Sequence, residues 1–150
     1  MLSTLSKEEI EHVLKSNVVG RIGCTADNKV YVVPVTYGYD GESIIGHTVE
    51  GLKVDILRKN PECCFEVDVI ESLGNWRSVI AWGTFEELQG DDAAKASEVL
   101  GNKISQLIGD DPAHPPRMGP SSSMRMHTFA NNTIIYRIRI TEKTGRYEKT

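Results

Sequence analysis

The sequence predicts a mainly β protein with α-helices, in which an antiparallel sheet curls toward a closed barrel. Two patterns indicate this fold class. Runs of β-branched or alternating apolar residues are separated by turn signals such as Asp27-Asn28 and Asp40-Gly41, as in β-hairpins. Apolar residues at helical spacing occur in three further segments. With 150 residues, 39% of them hydrophobic and 25% charged, the chain corresponds to a single domain over residues 1–150.

Charge and composition limit the partners that we expect. The formal net charge of -4 argues against general binding to nucleic acid or to anionic membranes, which needs a basic face. No segment has the apolar length of a membrane span, and the N-terminus lacks the pattern of a secretion signal, so we expect a cytoplasmic protein. Cys24, Cys63 and Cys64 have no metal-ligand spacing. We therefore expect small buried cysteines and no metal site.

The first third of the chain predicts one helix and three antiparallel strands. Ser6 and Glu9 match a capping box, which begins a helix that ends at Asn17. Strands are then predicted over residues 18–25, 30–39 and 43–48. Pro34 cannot donate a ladder hydrogen bond, so it indicates an edge, a bulge or a ligand-facing gap in the second strand. Neither face of that strand is purely polar, and one face is expected to pack against a second subunit.

The remainder of the chain predicts two helices and three strands around one long loop. A helix over residues 51–60 stops before Pro61, and strands follow over 63–70 and 76–88. Asp91 and Asp92 are candidate N-caps for a third helix that ends near Gly109. Residues 110–132 are rich in proline, serine and methionine, which fits either a lid or a disordered segment. The last strand is predicted over residues 133–141.

The most informative local pattern lies where a predicted hairpin ends and a helix begins. Thr48 offers a hydroxyl, Gly51 leaves room beside the chain, and Lys53 brings one ammonium group to the helix start. Free backbone N–H groups at a helix N-terminus favour an anion, so the three residues together suit a phosphate. The alternatives are an ordinary surface lysine and a hydroxyl that only caps the helix. The phosphate interpretation predicts a phosphorylated cofactor.

Several motifs, taken in their order along the chain, resemble one known family. They are His47-Thr48, Gly51-Leu52-Lys53, the strand Ser78–Phe85, Tyr136-Arg137-Ile138 and Thr144-Gly145-Arg146. In this order the chain resembles the FMN-binding split barrels related to pyridoxamine 5'-phosphate oxidase, nearest to the flavoproteins that include nitroimidazole resistance proteins. The resemblance implies a six-stranded antiparallel Greek-key split barrel with flanking helices. It also implies an obligate homodimer with FMN in two clefts between the subunits.

The same resemblance implies roles for individual residues. Thr48 and Lys53 would grip the phosphate, and Gly51 and Leu52 would add backbone amides. By position, the main chain of Pro34, Val35 and Thr36 would contact the flavin ring. The segment Trp76, Arg77 and Ser78 would approach the cofactor from an undetermined subunit. The chain departs from the vitamin B6 oxidases in lacking basic residues on the second strand. This departure argues against pyridoxamine phosphate as substrate.

Aromatic and ionisable residues near this region allow more than one interpretation. His47 could hydrogen-bond a substrate or transfer a proton, or it could be a structural strand histidine. Trp76 and Trp82 share one face by period two, which fits a core or a dimer interface. Arg77 could compensate the charge of reduced flavin or be an exposed strand arginine. His114 and His127 lie in the long loop without carboxylate partners, so a metal is not expected there.

These observations lead to one preferred function and two alternatives. The preferred hypothesis is an FMN-dependent oxidoreductase that passes electrons from a reduced nicotinamide to a small flat acceptor, nitroaromatic or quinone-like. The first alternative is a flavin-binding or redox-sensing module without turnover. The second is a haem or deazaflavin binder on the same fold, for which His47 or His127 would be the first candidate axial ligand.

Overall fold

The computed structural model describes residues 2–110 and 132–150. Within these residues the chain forms eight strands and three helices. In chain order they are β1 (Leu2–Thr4), α1 (Lys7–Ser16), β2 (Val19–Ala26), β3 (Lys29–Thr36), β4 (Gly38–Tyr39), β5 (Ser43–Thr48), α2 (Leu52–Lys59), β6 (Glu62–Ser72), β7 (Asn75–Glu87), α3 (Gly90–Asp110) and β8 (Ile134–Lys149). The mainly β class with flanking helices is confirmed.

One antiparallel sheet contains all of these strands. Its order is β3-β2-β6-β7-β8-β5-β4, and β1 pairs with β8. The two end strands, β3 and β4, are consecutive in the chain and are separated only by Tyr37, so the ends of the sheet meet and the sheet curls into a barrel. The described residues show no ladder between β3 and β5, and the barrel is split there. The six longer strands correspond to the expected six-stranded split barrel.

The interior of the barrel holds the main hydrophobic core, and α1 closes one end of it. Ile10, Val13 and Leu14 of α1 are buried in the same cluster as Tyr37 and the inward side chains of the strands. The Tyr37 hydroxyl donates to the Leu14 carbonyl oxygen at 2.7 Å, which satisfies its polar atom inside the core. α1 therefore covers one end of the barrel, away from the predicted phosphate residues.

The start of α1 confirms the predicted capping box. The Glu9 backbone N–H donates to Ser6 Oγ at 3.2 Å, and the Ser6 backbone N–H donates to Glu9 Oε1 at 2.8 Å. Two amides without helical partners are thereby satisfied. The pKa of the Glu9 carboxyl is lowered, chiefly by its hydrogen bond from the Ser6 backbone.

The predicted strand over residues 30–39 is wrong in one respect, because it is broken at Tyr37. The Tyr37 backbone N–H donates to the Val18 carbonyl oxygen at 2.9 Å, and the Tyr37 ring lies in the core. The chain changes neighbours at this point. Before the break β3 pairs with β2, and after it β4 pairs with β5. The third predicted strand, β5, therefore pairs with β4 and β8 rather than with the long second strand.

The predicted last strand, 133–141, is too short, since β8 continues to Lys149. The reason is a bulge: Trp82 pairs with Glu142 but Gly83 pairs with Ile140, which leaves Thr141 unpaired in the ladder. The Thr141 hydroxyl donates to the Trp82 carbonyl oxygen at 3.2 Å. One extra residue interrupts the apolar alternation, and the strand resumes beyond it.

Three smaller features complete the comparison with the predicted elements. β1 was not predicted, because three residues are too few to show a period. α3 begins at Gly90, so Asp91 and Asp92 lie in its first turn instead of capping it. The predicted loop over residues 110–132, including His114 and His127, lies almost entirely outside the described residues. None of the helices in the described parts of the chain combines the length and the apolar character needed to cross a membrane.

Candidate functional site

The candidate site is the split in the barrel between β3 and β5. The short ladder between β4 and β5 ends at Gly38 and Ile45. Continuing its register would place Thr36 beside His47, but from this point β3 pairs with β2 instead. The two strands separate, and backbone groups that face the gap have no ladder partner across it within the described residues. Such an open pair of strand edges can hydrogen-bond a ligand that enters between them.

The three residues predicted to run beside a ring lie on the β3 side of this split. Pro34 is exposed, whereas Val35 and Thr36 are half-buried. β3 is the end strand of the sheet, so the edge explanation of Pro34 is the one that the topology supports. The absence of an N–H at Pro34 therefore removes no ladder hydrogen bond on the unpaired edge of β3. Val35 packs against the core and fixes this stretch of backbone.

The four residues of the predicted phosphate site, Thr48, Gly51, Leu52 and Lys53, come together at the far end of the split. β5 ends at Thr48 and α2 begins at Leu52, with Gly51 as its N-cap. Among the residues that the structure describes, no side chain caps the start of this helix. A Cβ added to Gly51 would meet only the Val49 carbonyl oxygen, at 4.0 Å, so the space beside this residue is open. The first amides of α2 are therefore accessible to an anion.

Lys53 supplies the positive charge at this corner. Its side chain is half-buried, and burial lowers the pKa of its ammonium group. Within the described residues Lys53 has no hydrogen bond and no salt bridge. A half-buried cation without a counter-ion is costly to a fold, and such groups are concentrated at functional sites. The corner is thus arranged to receive a negative charge.

His47 lies next to this cation. Its side chain is half-buried, and its pKa is lowered from the ordinary value of 6.5, first by burial and then by the positive charge of Lys53. The imidazole is therefore neutral at pH 7 and can both donate and accept hydrogen bonds. The hydroxyl of Thr48, the next residue, is half-buried and donates to the Val49 carbonyl oxygen at 3.2 Å.

Cys24 is a neighbour of the site that the sequence did not reveal. It lies on β2, and its thiol interacts electrostatically with Lys53. Burial raises the pKa of the thiol more than the nearby ammonium lowers it, so Cys24 remains protonated at pH 7. Its Sγ donates to the Tyr31 carbonyl oxygen at 3.7 Å. The β2–β3 hairpin therefore lies next to Lys53.

The segment Trp76–Ser78 lies elsewhere on the molecule. Thr48 pairs with Ile134 at one end of β8, whereas Trp76 pairs with Glu148 at the other end. At roughly 3.3 Å per residue along a strand, the two are far apart. Within one chain, the segment Trp76–Ser78 therefore lies away from the phosphate corner, which is formed by Thr48, Gly51, Leu52 and Lys53. A contact of both with one cofactor would require two copies of the chain.

Trp76 and Ser78 line a cleft on the outer face of the sheet. The cleft has a volume of about 310 Å³ and also contains the acidic pair Glu66 and Asp68. Ser78 Oγ donates to Glu66 Oε2 at 2.9 Å, and Arg21 forms salt bridges with both carboxylates. The pKa of Glu66 is raised, chiefly by burial.

Arg77 points the other way, toward the barrel interior near α1. Its Nε atom is buried and has no hydrogen bond among the described residues. Trp76 and Trp82 do share the outer face, as predicted, and 38% of the Trp82 surface is exposed. Trp82 is therefore not a core residue in the single chain.

Comparison with known proteins places this arrangement in a family. Residues 6–147 match the model of the pyridoxamine 5'-phosphate oxidase family. The chain belongs to that family. A protein of Rhizobium meliloti (strain 1021) without assigned function is 31% identical over 84 residues, which are 56% of each chain. The alignment thus spans about half the length of this curated relative.

Solved structures of the family share the fold over nearly the whole chain. A FAD-binding protein from Mesorhizobium loti has a TM-score of 0.75 at 28% identity, and the alignment covers 99% of both chains. A Bacteroides thetaiotaomicron protein named for 5-nitroimidazole antibiotic resistance has a TM-score of 0.71 at 17% identity, with 98% of this chain and 89% of that chain covered. The split barrel is the fold that these proteins have in common.

Proposed function

We propose that the chain is an FMN-dependent oxidoreductase that acts as a homodimer and passes electrons from a reduced nicotinamide to a small flat acceptor, nitroaromatic or quinone-like. One observation carries the proposal. Lys53, a half-buried cation without a counter-ion among the described residues, lies at a helix start beside the split of the barrel. The family match and the similarity to a FAD-binding protein support a flavin as the ligand.

The phosphate end of FMN would be held by charge and by backbone donors. Lys53 contributes the charge, and the free amides of Gly51 and Leu52 contribute donors at the positive end of α2. The Thr48 hydroxyl would exchange its local acceptor, the Val49 carbonyl, for a phosphate oxygen. A dianion in this corner would restore to Lys53 the favourable interactions that its burial removes.

The ring of the flavin would lie along the open edge of β3. Backbone groups of Pro34, Val35 and Thr36 would hydrogen-bond its polar edge, and packing of a second copy over the split would exclude water from it. The flavin supplies the electron transfer, and the chain supplies binding and orientation. His47, neutral at pH 7, would orient a substrate or exchange a proton with it at an imidazole nitrogen.

An apolar area on the outer face of the sheet supports the proposed homodimer. Val30 and Val32 are 76% and 63% exposed there, and Trp82 and Pro34 extend the same apolar surface. An apolar strand face of this kind favours burial against a second copy. Packing two copies by this face would allow the partner subunit's Trp76 and Ser78 to reach the cofactor, which the same chain's residues do not.

The absorption spectrum of the purified protein, followed by anaerobic reduction, tests this function. A flavin spectrum that bleaches with NADH or NADPH and returns with a nitroaromatic or quinone acceptor supports it. A flavin spectrum that does not change when the reduced nicotinamide and the acceptor are added would instead show a binding module without turnover. A Soret band would show haem, and a colourless protein that does not bind added FMN would contradict flavin binding altogether.

A further inference from the structure

Glu50 is an unexpected neighbour for a phosphate site. It immediately precedes Gly51, the N-cap of α2, and its side chain is 63% exposed. A carboxylate on the residue before the N-cap would repel a dianion bound at the helix start if its side chain turned toward that end of the helix. A site at this corner therefore needs a means of neutralising Glu50.

Arg58 provides that neutralisation from the last turn of the same helix. Its Nη1 and Nη2 donate to the two carboxylate oxygens of Glu50 at 2.8 and 2.9 Å. The same guanidinium donates through Nε and Nη2 to the two oxygens of Glu87 at 3.3 and 2.7 Å. Arg58 thus bridges the residue before the helix start and the end of β7 with two bidentate pairs.

The geometry distinguishes this bridge from an ordinary surface ion pair. Single exposed salt bridges contribute little, but bidentate arginine pairs joined in a network fix side-chain geometry. Hydrogen bonds from Arg58 lower the pKa of the Glu87 carboxyl, so the pair between Arg58 and Glu87 persists at neutral pH. Since β7 belongs to the barrel, the segment 49–51 is tied to a rigid element.

We propose that Arg58 is a positioning residue for the phosphate site, which offsets part of the charge of Glu50, draws its carboxylate away from the helix start and holds the segment 49–51 in place. The first amides of α2 and the Lys53 ammonium then face the anion without a competing carboxylate. This inference rests on the proposed function. Arg58 itself does not contact the cofactor, and its effect is specific to the phosphate end of the ligand.

The test compares FMN with riboflavin, which lacks the phosphate. Dissociation constants of both flavins are measured by fluorescence quenching for the native protein, Arg58→Met, Arg58→Lys and the double variant Arg58→Met/Glu50→Gln. We expect Arg58→Met to weaken FMN binding roughly fivefold to tenfold, as for a carboxylate freed near a dianion at an exposed site. Riboflavin binding should change less than twofold. The added Glu50→Gln should recover most of the loss, and Arg58→Lys should be intermediate.

Lys59→Met is the matched control. Lys59 follows Arg58 in α2, carries the same charge and has its own carboxylate partner, Asp27, at 2.7 Å, away from the segment 49–51. It should leave FMN binding within twofold of native. Equal losses for FMN and riboflavin, or no loss of FMN in Arg58→Met, would overturn the inference. A native protein that binds neither flavin would overturn the proposed function as well, and an effect of Lys53→Met without one of Arg58→Met would overturn the inference alone.

Discussion

Replacing Lys53 by methionine separates the effect of this residue on the stability of the cofactor-free protein from its contribution to FMN affinity. Methionine keeps the apolar stem and removes the ammonium. One charge-assisted contact to phosphate corresponds to about 1–3 kcal/mol, which is roughly a 5- to 150-fold increase in the dissociation constant of FMN. Lys53 has no ion pair among the described residues, so the free variant breaks no salt bridge there. Its free energy of unfolding should stay unchanged or rise.

Two measurements on the same variant check this reasoning. Isothermal titration calorimetry gives the affinity for FMN, and urea denaturation of the cofactor-free protein gives the free energy of unfolding. Lys59→Met is again the matched control, because it removes the same charge from the same helix at a salt bridge to Asp27. Unchanged affinity for FMN in Lys53→Met would refute the assignment of the phosphate site. A large loss of stability in the free variant would show that Lys53 is a structural residue.

Three further predictions address the barrel, the histidine and the interface. Gly46→Ala should lower the free energy of unfolding by about 1–3 kcal/mol or more, measured by urea denaturation, because the new Cβ would lie 2.3 Å from the buried Tyr136 hydroxyl oxygen. Without ligand, the pKa of His47 lies below its ordinary 6.5. The unfolded chain then binds the proton more readily, so stability should fall as the pH drops below about 6.5. Phosphate or FMN should raise that pKa, measured by NMR titration of His47; an unmoved His47 would contradict the site. Val32→Glu should convert the dimer into a monomer in light scattering, and a persistent dimer would assign the interface to another surface.

Local sequence signals were sufficient to predict most of the fold. The turn at Asp27-Asn28 has positive φ angles of 53° and 64°, the conformation that a two-residue hairpin demands and that these residue types tolerate. The capping box at Ser6 and Glu9 formed as predicted. The errors have a common cause in long-range pairing. The break at Tyr37 depends on a hydrogen bond to α1 that no local pattern shows.

For the candidate site too, the sequence revealed residues that are neighbours in the chain and missed contacts between residues that are far apart in it. Thr48, Gly51 and Lys53 are neighbours in sequence, so their conjunction was readable from the chain itself. The contribution of Cys24 depends on the packing of α2 over β2, and that of Glu87 on the register of β7 with β8. No spacing in the sequence encodes either contact. For the same reason the distance between Trp76 and the phosphate corner became apparent only from the pairing of both ends of β8.

A crystal structure of the protein grown with FMN would show whether the phosphate binds at Lys53. We expect a dimer with one FMN in each split, the phosphate within hydrogen-bond distance of Lys53 Nζ and the amides of Gly51 and Leu52, and the ring along Pro34–Thr36. A phosphate bound away from Lys53, or a split filled by protein side chains with no room for a flavin, would contradict this expectation.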